Sequence, residues 1–394
     1  MPEPSCSSPA QVFGVFLKLG LTSFGGPIAH LGYFRDEFVT RRGWLSDQAY
    51  ADLVALCQFL PGPASSQVGF AIGLMRAGWA GAAAAFLGFT LPSALLLTGL
   101  ALGGLGLGGG ASGLVHGLKI VAVAIVAQAV WGMARSLCPD RTRAGIALGA
   151  VMVLVLLPGS VGMMGAIAAG ALAGLALCRA DSTPAVPAFP TRVTRRSGLA
   201  ALIAFAVLLA ALPLLAQWHQ GFALADRFFR AGSLVFGGGH VVLPLLEAET
   251  VAPGWISPDA FLAGYGLAQA VPGPLFTFAA WLGALMATPP NGIAGAVIAL
   301  LALFLPGFLI LAAALPFWDR LRRQPGAQAA MQGTNAAVVG ILGLALYDPV
   351  FVSAVRDQAD FALALTCFLA LTLWKAPSWA VVVLAAGAGV VLAA

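Results

Sequence analysis

Long apolar runs separated by short polar loops fill almost the whole chain. A membrane-spanning helix needs roughly 20 predominantly apolar residues, and runs of that order recur from one end of the sequence to the other. The stretch between 181 and 196 is rich in proline and arginine and is predicted to be a loop. The pattern predicts thirteen helical segments, at about 11–34, 48–76, 79–103, 113–137, 143–158, 161–178, 198–217, 222–246, 259–287, 291–316, 331–348, 359–374 and 377–394.

Composition changes this picture by excluding whole classes of protein. Of the 394 residues, 60% are hydrophobic and 9% are charged, and the mean hydropathy is +0.94. Soluble domains carry about 25% charged residues, so a soluble enzyme, a disordered chain and a nucleic-acid-binding module are excluded despite the net charge of +5. We expect an all-α polytopic membrane protein whose partner is the lipid bilayer, with no nucleic acid.

Five sequence blocks occur twice in the same order, which predicts an internal duplication. The spacing between partners is nearly constant, at about 211–216 residues. The matched pairs are 19–26 with 231–238, 43–46 with 254–257, 58–63 with 269–274, 91–92 with 305–306, and Gly117 with Gly333.

The duplication predicts three parts in the chain. These are an N-terminal transporter repeat over 1–180, a polar linker with one connecting transmembrane helix over 181–218, and a C-terminal transporter repeat over 219–394. A single connecting helix makes the second repeat enter the membrane from the opposite side. The expected architecture is an inverted-topology repeat, in which the substrate site lies near the bilayer midplane between the halves.

Two topologies are open, and they differ in how they fit the charge pattern. Thirteen full spans leave Arg35, Arg41 and Arg42 outside, against the positive-inside rule. If the segments broken at 25–27 and 61–63, and their partners in the second half, are re-entrant hairpins, these arginines move inside. The chain then has nine full spans and four hairpins. Both versions place a multi-pass protein in the cytoplasmic (inner) membrane.

The glycine and proline breaks carry the candidate chemistry. Pro27 and Pro63 are placed as the first residues of half-helices, a position that proline favours. A helix N-terminus offers amide donors and about half a positive charge, which suits an anion. The alternative is that the breaks are packing kinks. The candidate substrate-binding residues are Lys18, Thr22, Ser23, Gly25, Gly26, Gln58, Gly62, Ser65, Ser66, Gly237, Gly238, Gln269, Gly273 and Thr277.

Charged side chains inside apolar segments are the second source of candidates. A charge at membrane depth costs at least about 2.5–3.5 kcal/mol, so we expect Lys18 to help bind the anion, with snorkelling to the interface as the alternative. Arg76 and Lys119 could guide the anion, or could serve orientation and snorkelling alone. The candidates for carrying a coupling proton are His30, His240 and Asp52, with hydrogen-bonded burial as the alternative.

Motifs for other chemistries are missing from the sequence. The five cysteines are scattered without a CxxC pair, so neither a metal site nor a disulfide framework is indicated. A Walker A sequence is also missing, so nothing indicates that ATP drives the protein. We expect no metal, no cofactor and no enzymatic activity.

Several blocks resemble the chromate ion transporter (CHR) family in its long two-domain form. They are LTSFGGP at 21–27, QFLPGPASS at 58–66 and FTLPS at 89–93, followed by FGGGH at 236–240, QAVPGP at 269–274 and FLP at 304–306. The resemblance covers nearly the whole chain. It implies a secondary active carrier, linked to protons or the membrane potential, that exports chromate and gives chromate resistance, with sulfate as the related oxyanion.

Two other functions remain open on the same fold. One is an importer of sulfate or another oxyanion, since sulfate and chromate share charge and shape. The other is an anion channel. A homodimer, the coupling ion and the direction of transport are also left open by the sequence.

Overall fold

The computed structural model describes residues 8–104, 112–178, 193–236, 239–321 and 324–392. Within these ranges the chain is helical and contains no strand. π-helical turns extend α2 at Asp36–Arg41 and α15 at Leu346–Phe351. Short 3-10 helical turns precede α10 and α12. The helices are α1 (Pro9–Thr22), α2 (Gly26–Arg35), α3 (Asp47–Phe59), α4 (Ala64–Leu102), α5 (Ser112–Leu137), α6 (Arg141–Leu156), α7 (Ser160–Leu177), α8 (Arg195–Leu215), α9 (Gln220–Ser233), α10 (Val242–Thr250), α11 (Pro258–Ala270), α12 (Phe278–Ala284), α13 (Gly292–Ala314), α14 (Trp318–Leu321), α15 (Pro325–Ala345), α16 (Val352–Ala354), α17 (Gln358–Thr372) and α18 (Ser378–Leu392).

Six helical stretches in the described ranges are long and apolar enough to cross a membrane. The expectation of an all-helical polytopic membrane protein is therefore confirmed, while the count of thirteen segments stays a prediction. The six stretches are Ala64–Leu102, Gly113–Leu137, Ser160–Leu177, Arg195–Leu215, Gly292–Phe317 and Pro325–Ala354.

The longest stretch, α4, is two helices and not one. Its backbone leaves the helical conformation at Ala77 and Gly78, where the sequence predicts a segment boundary. The backbones of Gly73 and Gly81 touch, although they would be about 12 Å apart along a continuous helix. The chain therefore reverses at 77–78, and residues 64–76 run antiparallel to 79–102.

The chain also reverses at the two breaks of the first half. The ring of Phe16 on α1 lies 5.7 Å from that of Phe34 on α2, so α1 and α2 are antiparallel. The guanidinium of Arg76 lies 4.8 Å from the ring of Trp44, which precedes α3. Residues 64–76 therefore fold back along α3.

The second half reverses in the same way. Arg227 on α9 donates to the carbonyl oxygen of Glu249 on α10 at 2.9 Å. Trp281 on α12 donates from its indole nitrogen to the carbonyl oxygen of Ala260 on α11 at 2.9 Å. These four antiparallel pairs are called the four hairpins below. Their arms reach about 24 Å at most, which is less than the roughly 30 Å hydrocarbon core.

Two long helices pack on the opposite half of the chain. In the first half, α5 packs against α17 and α18, where Gly117 meets the backbone at Ala385 and Gly389. In the second half, α15 packs against α6 and α7, where Gly333 meets Gly170 and Gly174. The matched glycines 117 and 333 thus make the same kind of close helix contact, each with the partner half.

This exchange can be tested within α15. We expect Gly333→Ala to lower the thermal stability of the purified protein, because the new Cβ would overlap the backbones of Gly170 and Gly174 and overpacking costs about 1–3 kcal/mol. Gly343→Ala is the matched control, since open space surrounds that position and alanine favours helix. Equal melting temperatures for the two variants would contradict this packing.

Candidate functional site

The four hairpin tips meet through two backbone hydrogen bonds. The N–H of Gly62 donates to the carbonyl oxygen of Val235 at 2.7 Å, and the N–H of Gly273 donates to that of Ser23 at 2.9 Å. Each bond joins a Pro-Gly-Pro tip of one half to the glycine tip of the other half. The tips of both halves therefore form one shared structure.

The two bonds connect matched positions. The spacing that relates the duplicated blocks pairs Ser23 with Val235 and Gly62 with Gly273, so one bond is the counterpart of the other. The packing contacts beside these bonds are also matched. Gly62 packs against Gly307, and Gly273 packs against Ser93, which is the residue that matches Gly307. The reciprocity is what a local twofold relation between the tips would produce.

Glycine is required at both Pro-Gly-Pro tips. The backbone φ angle is +125° at Gly62 and +104° at Gly273, a region that side chains other than glycine rarely adopt. A Cβ on Gly62 would lie 2.8 Å from Nε2 of Gln67 and 2.9 Å from Cα of Gly307. Both the backbone conformation and the close packing therefore exclude a side chain.

The half-helices that begin at these tips lack side-chain caps. Neither Gly25 before α2 nor Pro63 before α4 supplies a capping hydrogen bond, and no side chain caps the start of α10 or of the turn that leads into α12. By contrast, Ser46 and Ser257 accept amide hydrogen bonds at the starts of α3 and α11. Side chains thus leave the first N–H groups of the half-helices available to another acceptor.

Buried polar groups without partners surround the tips. The hydroxyl oxygens of Ser23, Ser66 and Thr90 and the amide nitrogen of Gln269 make no hydrogen bond with the described residues. Unpaired buried polar groups are rare and costly. All four can donate a hydrogen bond, so the arrangement suits a ligand that accepts hydrogen bonds, such as an oxyanion.

Other polar side chains at the tips donate hydrogen bonds to backbone carbonyl oxygens. Thr277 donates to the carbonyl oxygen of Pro274 at 2.7 Å. Gln67 donates to those of Pro61 and Gly307, at 2.9 Å each. These two side chains therefore position the tips, and Ser65 is buried beside them.

Three predicted binding residues lie on exposed surface. Lys18 and Thr22 on α1 and Gln58 on α3 are exposed, and the Thr22 hydroxyl donates to the carbonyl oxygen of Lys18 at 2.8 Å. Gln58 thus differs from its matched partner Gln269, which is buried. Gly25 and Gly26 lie at the first tip with positive φ. The predicted residues Gly237 and Gly238 lie outside the described residues.

The three predicted proton carriers occupy separate places. His30 is fully buried, with its ring edge-on to Phe89 at 5.2 Å between centroids. Nδ1 of His240 lies 2.7 Å from the hydroxyl of Tyr265. Asp52 on α3 accepts from the indole nitrogen of Trp318 at 3.1 Å.

The predicted guiding residues have partners that are remote in sequence. Arg76 stacks on Trp44. Lys119 is buried and its ammonium nitrogen lies 2.6 Å from Oδ1 of Asp259, whose side chain is 62% exposed. Lys119 is therefore part of an ion pair that joins α5 to α11.

One charged pair near the tips was missed by the sequence analysis. On α9, Arg230 forms an ion pair with Asp226, which is buried. The separation of 212 residues between the matched glycine blocks also relates Lys18 to Arg230. Extending the alignment of the two halves toward the N-terminus would have found this second cation.

Comparison with known proteins identifies the family. A family model described as "Chromate transporter" matches residues 10–175 and 222–390, which correspond to the two duplicated halves. The chain belongs to the chromate transporter family. The resemblance noted from the sequence motifs, including the long two-domain form, is therefore confirmed.

Relatives match along nearly the full length. The chain is 31% identical to the "Chromate transport protein" of Pseudomonas aeruginosa, over 98% of this chain and 92% of that protein. It is 28% identical to the "Probable chromate transport protein" of Synechococcus elongatus, over 97% of this chain and 95% of that protein. The "Chromate transport protein" of Cupriavidus metallidurans is 28% identical, over 92% and 87% respectively. No solved structure matches the chain.

The close packing at the tips gives a direct prediction. We expect Gly62→Ala to destabilise the protein more than Gly254→Ala, because both glycines have positive φ but only the Gly62 position is crowded. The added cost of overpacking is about 1–3 kcal/mol. Chemical denaturation in detergent would measure the difference. If the two variants lose equal stability, the tip is not packed as described.

Proposed function

We propose that this protein is a secondary active transporter that exports chromate across the cytoplasmic membrane and thereby gives chromate resistance. Membership of the chromate transporter family supports transport of this ion. The observation that carries the proposal is the meeting of the four tips, where two reciprocal bonds hold uncapped half-helix starts together. Such starts bind anions without a full counter-charge.

The fold behind this function is proposed to be an inverted-topology repeat. Its parts are the N-terminal repeat (1–180), the linker with its connecting helix (181–218) and the C-terminal repeat (219–394). Reciprocal contacts at matched positions support the twofold relation, and the single connecting helix α8 supports the inversion. The four hairpins then enter the membrane without crossing it, since their arms are shorter than its core.

The binding site is proposed to lie among the tips. The unpartnered hydroxyls of Ser23, Ser66 and Thr90 and the amide of Gln269 would donate to the oxyanion, with backbone amides of α2 and α4 beside them. Ser65, Thr277 and the tip glycines Gly25, Gly26, Gly62 and Gly273 would shape the site. Lys18, one turn before the first tip, would attract the anion and then bind it.

Transport requires that the site open to each side in turn. We infer that the hairpins move relative to α5 and α15, because within the described residues the tips join to each other through two backbone bonds, while α5 and α15 pack tightly across the halves. Proton movement by His30, His240 or Asp52 remains a proposal of the sequence analysis, and their separate locations favour none of the three.

Chromate accumulation in cells tests this proposal. We expect cells that express the wild type to contain less chromate than cells with an empty vector. Lys18→Ala should weaken the apparent chromate affinity about tenfold, because a hydrogen bond to a charged group contributes about 1.5–3 kcal/mol. Lys375→Ala, which changes an exposed loop lysine between α17 and α18, is the matched control and should behave as wild type.

Other outcomes would point to other functions. Higher chromate content that sulfate suppresses would indicate an oxyanion importer. Flux that does not saturate and that no ion gradient can drive uphill would indicate a channel. Wild-type affinity in Lys18→Ala would remove Lys18 from the site while leaving the direction of transport established.

A further inference from the structure

The Asp226–Arg230 ion pair on α9 leaves part of its hydrogen-bonding capacity unused. The two side chains lie one helical turn apart and form an ion pair, in which Asp226 is 5% exposed and Arg230 is 40% exposed. The second carboxylate oxygen of Asp226 and Nε of Arg230 have no hydrogen-bond partner among the described residues. A buried ion pair with unmet hydrogen bonds gains little stability, so stability alone does not explain it.

The position of the pair connects it to the tips. Arg230 matches Lys18 in the duplicated sequence, and each precedes a glycine tip by about one turn. The residue that matches Asp226 is Gly14, which has open space around it. Two matched cations thus lie about one turn before the ends of α1 and α9, and of these two Arg230 has a buried acid beside it.

Few other charges face Asp226. Arg227 and Glu249 are within electrostatic range of its carboxylate, and they are paired with each other at 3.4 Å. Helix α13, which packs against α9, contains no ionisable residue, and α8 has only Arg195 and Arg196, at its far end. Arg230 is therefore the main neutralising partner of Asp226.

We propose that Asp226 and Arg230 couple anion binding to uptake of one proton, an inference that rests on the proposed function. An oxyanion at the tips draws the guanidinium of Arg230 away from Asp226. The buried carboxylate then loses its counter-ion, and it takes up a proton from water because an isolated buried charge is strongly disfavoured. When the anion leaves, Asp226 releases the proton and the ion pair forms again.

The net charge of the three side chains favours binding of the anion together with one proton. Lys18, Arg230 and Asp226 together carry one positive charge in the empty state. A dianion alone would make the group negative by one, whereas a dianion with a proton on Asp226 makes it neutral. One net negative charge then leaves the cell per chromate exported, a movement that an inside-negative membrane potential favours.

Proton uptake on binding tests the proposal directly. Chromate is added to the purified protein in a weakly buffered alkaline solution, where it is a dianion, and a pH indicator reports proton uptake. We expect about one proton per chromate bound by the wild type and none by Asp226→Asn, which should still bind chromate. In Arg230→Gln, which should bind about tenfold more weakly, Asp226 is already protonated, so uptake is again lost.

The matched control is Asp140→Asn. This exposed carboxylate caps α6, and asparagine caps helices equally well. The backbone N–H and guanidinium of Arg143 hold the pKa of Asp140 below its ordinary value, so it stays ionised and should not contribute. The control should take up protons as the wild type does.

Each remaining outcome is decisive. Wild-type binding without proton uptake, or full uptake in Asp226→Asn, would overturn this inference and leave the proposed function intact. A wild type that binds no chromate would overturn the proposed function, and the coupling inference with it. If Asp226→Asn does not fold, the wild type and Arg230→Gln still give the answer.

Discussion

The central constraint on this structure is that polar backbone freed inside a membrane must find partners within the protein. Each glycine or proline break releases N–H and C=O groups from helical hydrogen bonding. The two bonds from Gly62 to Val235 and from Gly273 to Ser23 satisfy part of this need. Because each bond takes its donor from one half and its acceptor from the other, neither half can satisfy its own tips alone. The remaining unsatisfied donors are what an anion can use.

Charged side chains also find partners within the protein. Ion pairs lie at the ends of the hairpins away from the tips, as between Glu37 and Arg42 and between Glu249 and Arg227. Glu37 and Glu249 are matched positions in the two halves. At the tips themselves the described groups are neutral donors, with cations one turn away. Dipoles and N–H groups would therefore provide the immediate surroundings of the proposed anion, which would let it leave as well as enter.

The fold was largely predictable, whereas side-chain partners were not. Apolar runs and Gly-Pro breaks predicted an all-helical chain, a segment boundary near Gly78 and the chain breaks at the tips, because these features depend on local sequence. The pairing of Lys119 with Asp259 joins residues far apart in the chain, and no local pattern encodes it. The opposite environments of Gln58 and Gln269 depend on which neighbours each helix meets. The pair of Asp226 and Arg230 resembles an ordinary surface pair on an amphipathic helix, so only the alignment of the halves draws attention to it.

The exchange of α5 and α15 between halves has a consequence for the order of biosynthesis. When α5 leaves the ribosome, its packing partners α17 and α18 have not been made. The small-residue face around Gly117 must remain without them in the bilayer until α17 and α18 are inserted. The N-terminal half therefore stays incompletely packed until α17 and α18 have been made. A chain cut short before α17 leaves α5 without these partners, even though every residue of the first half is present.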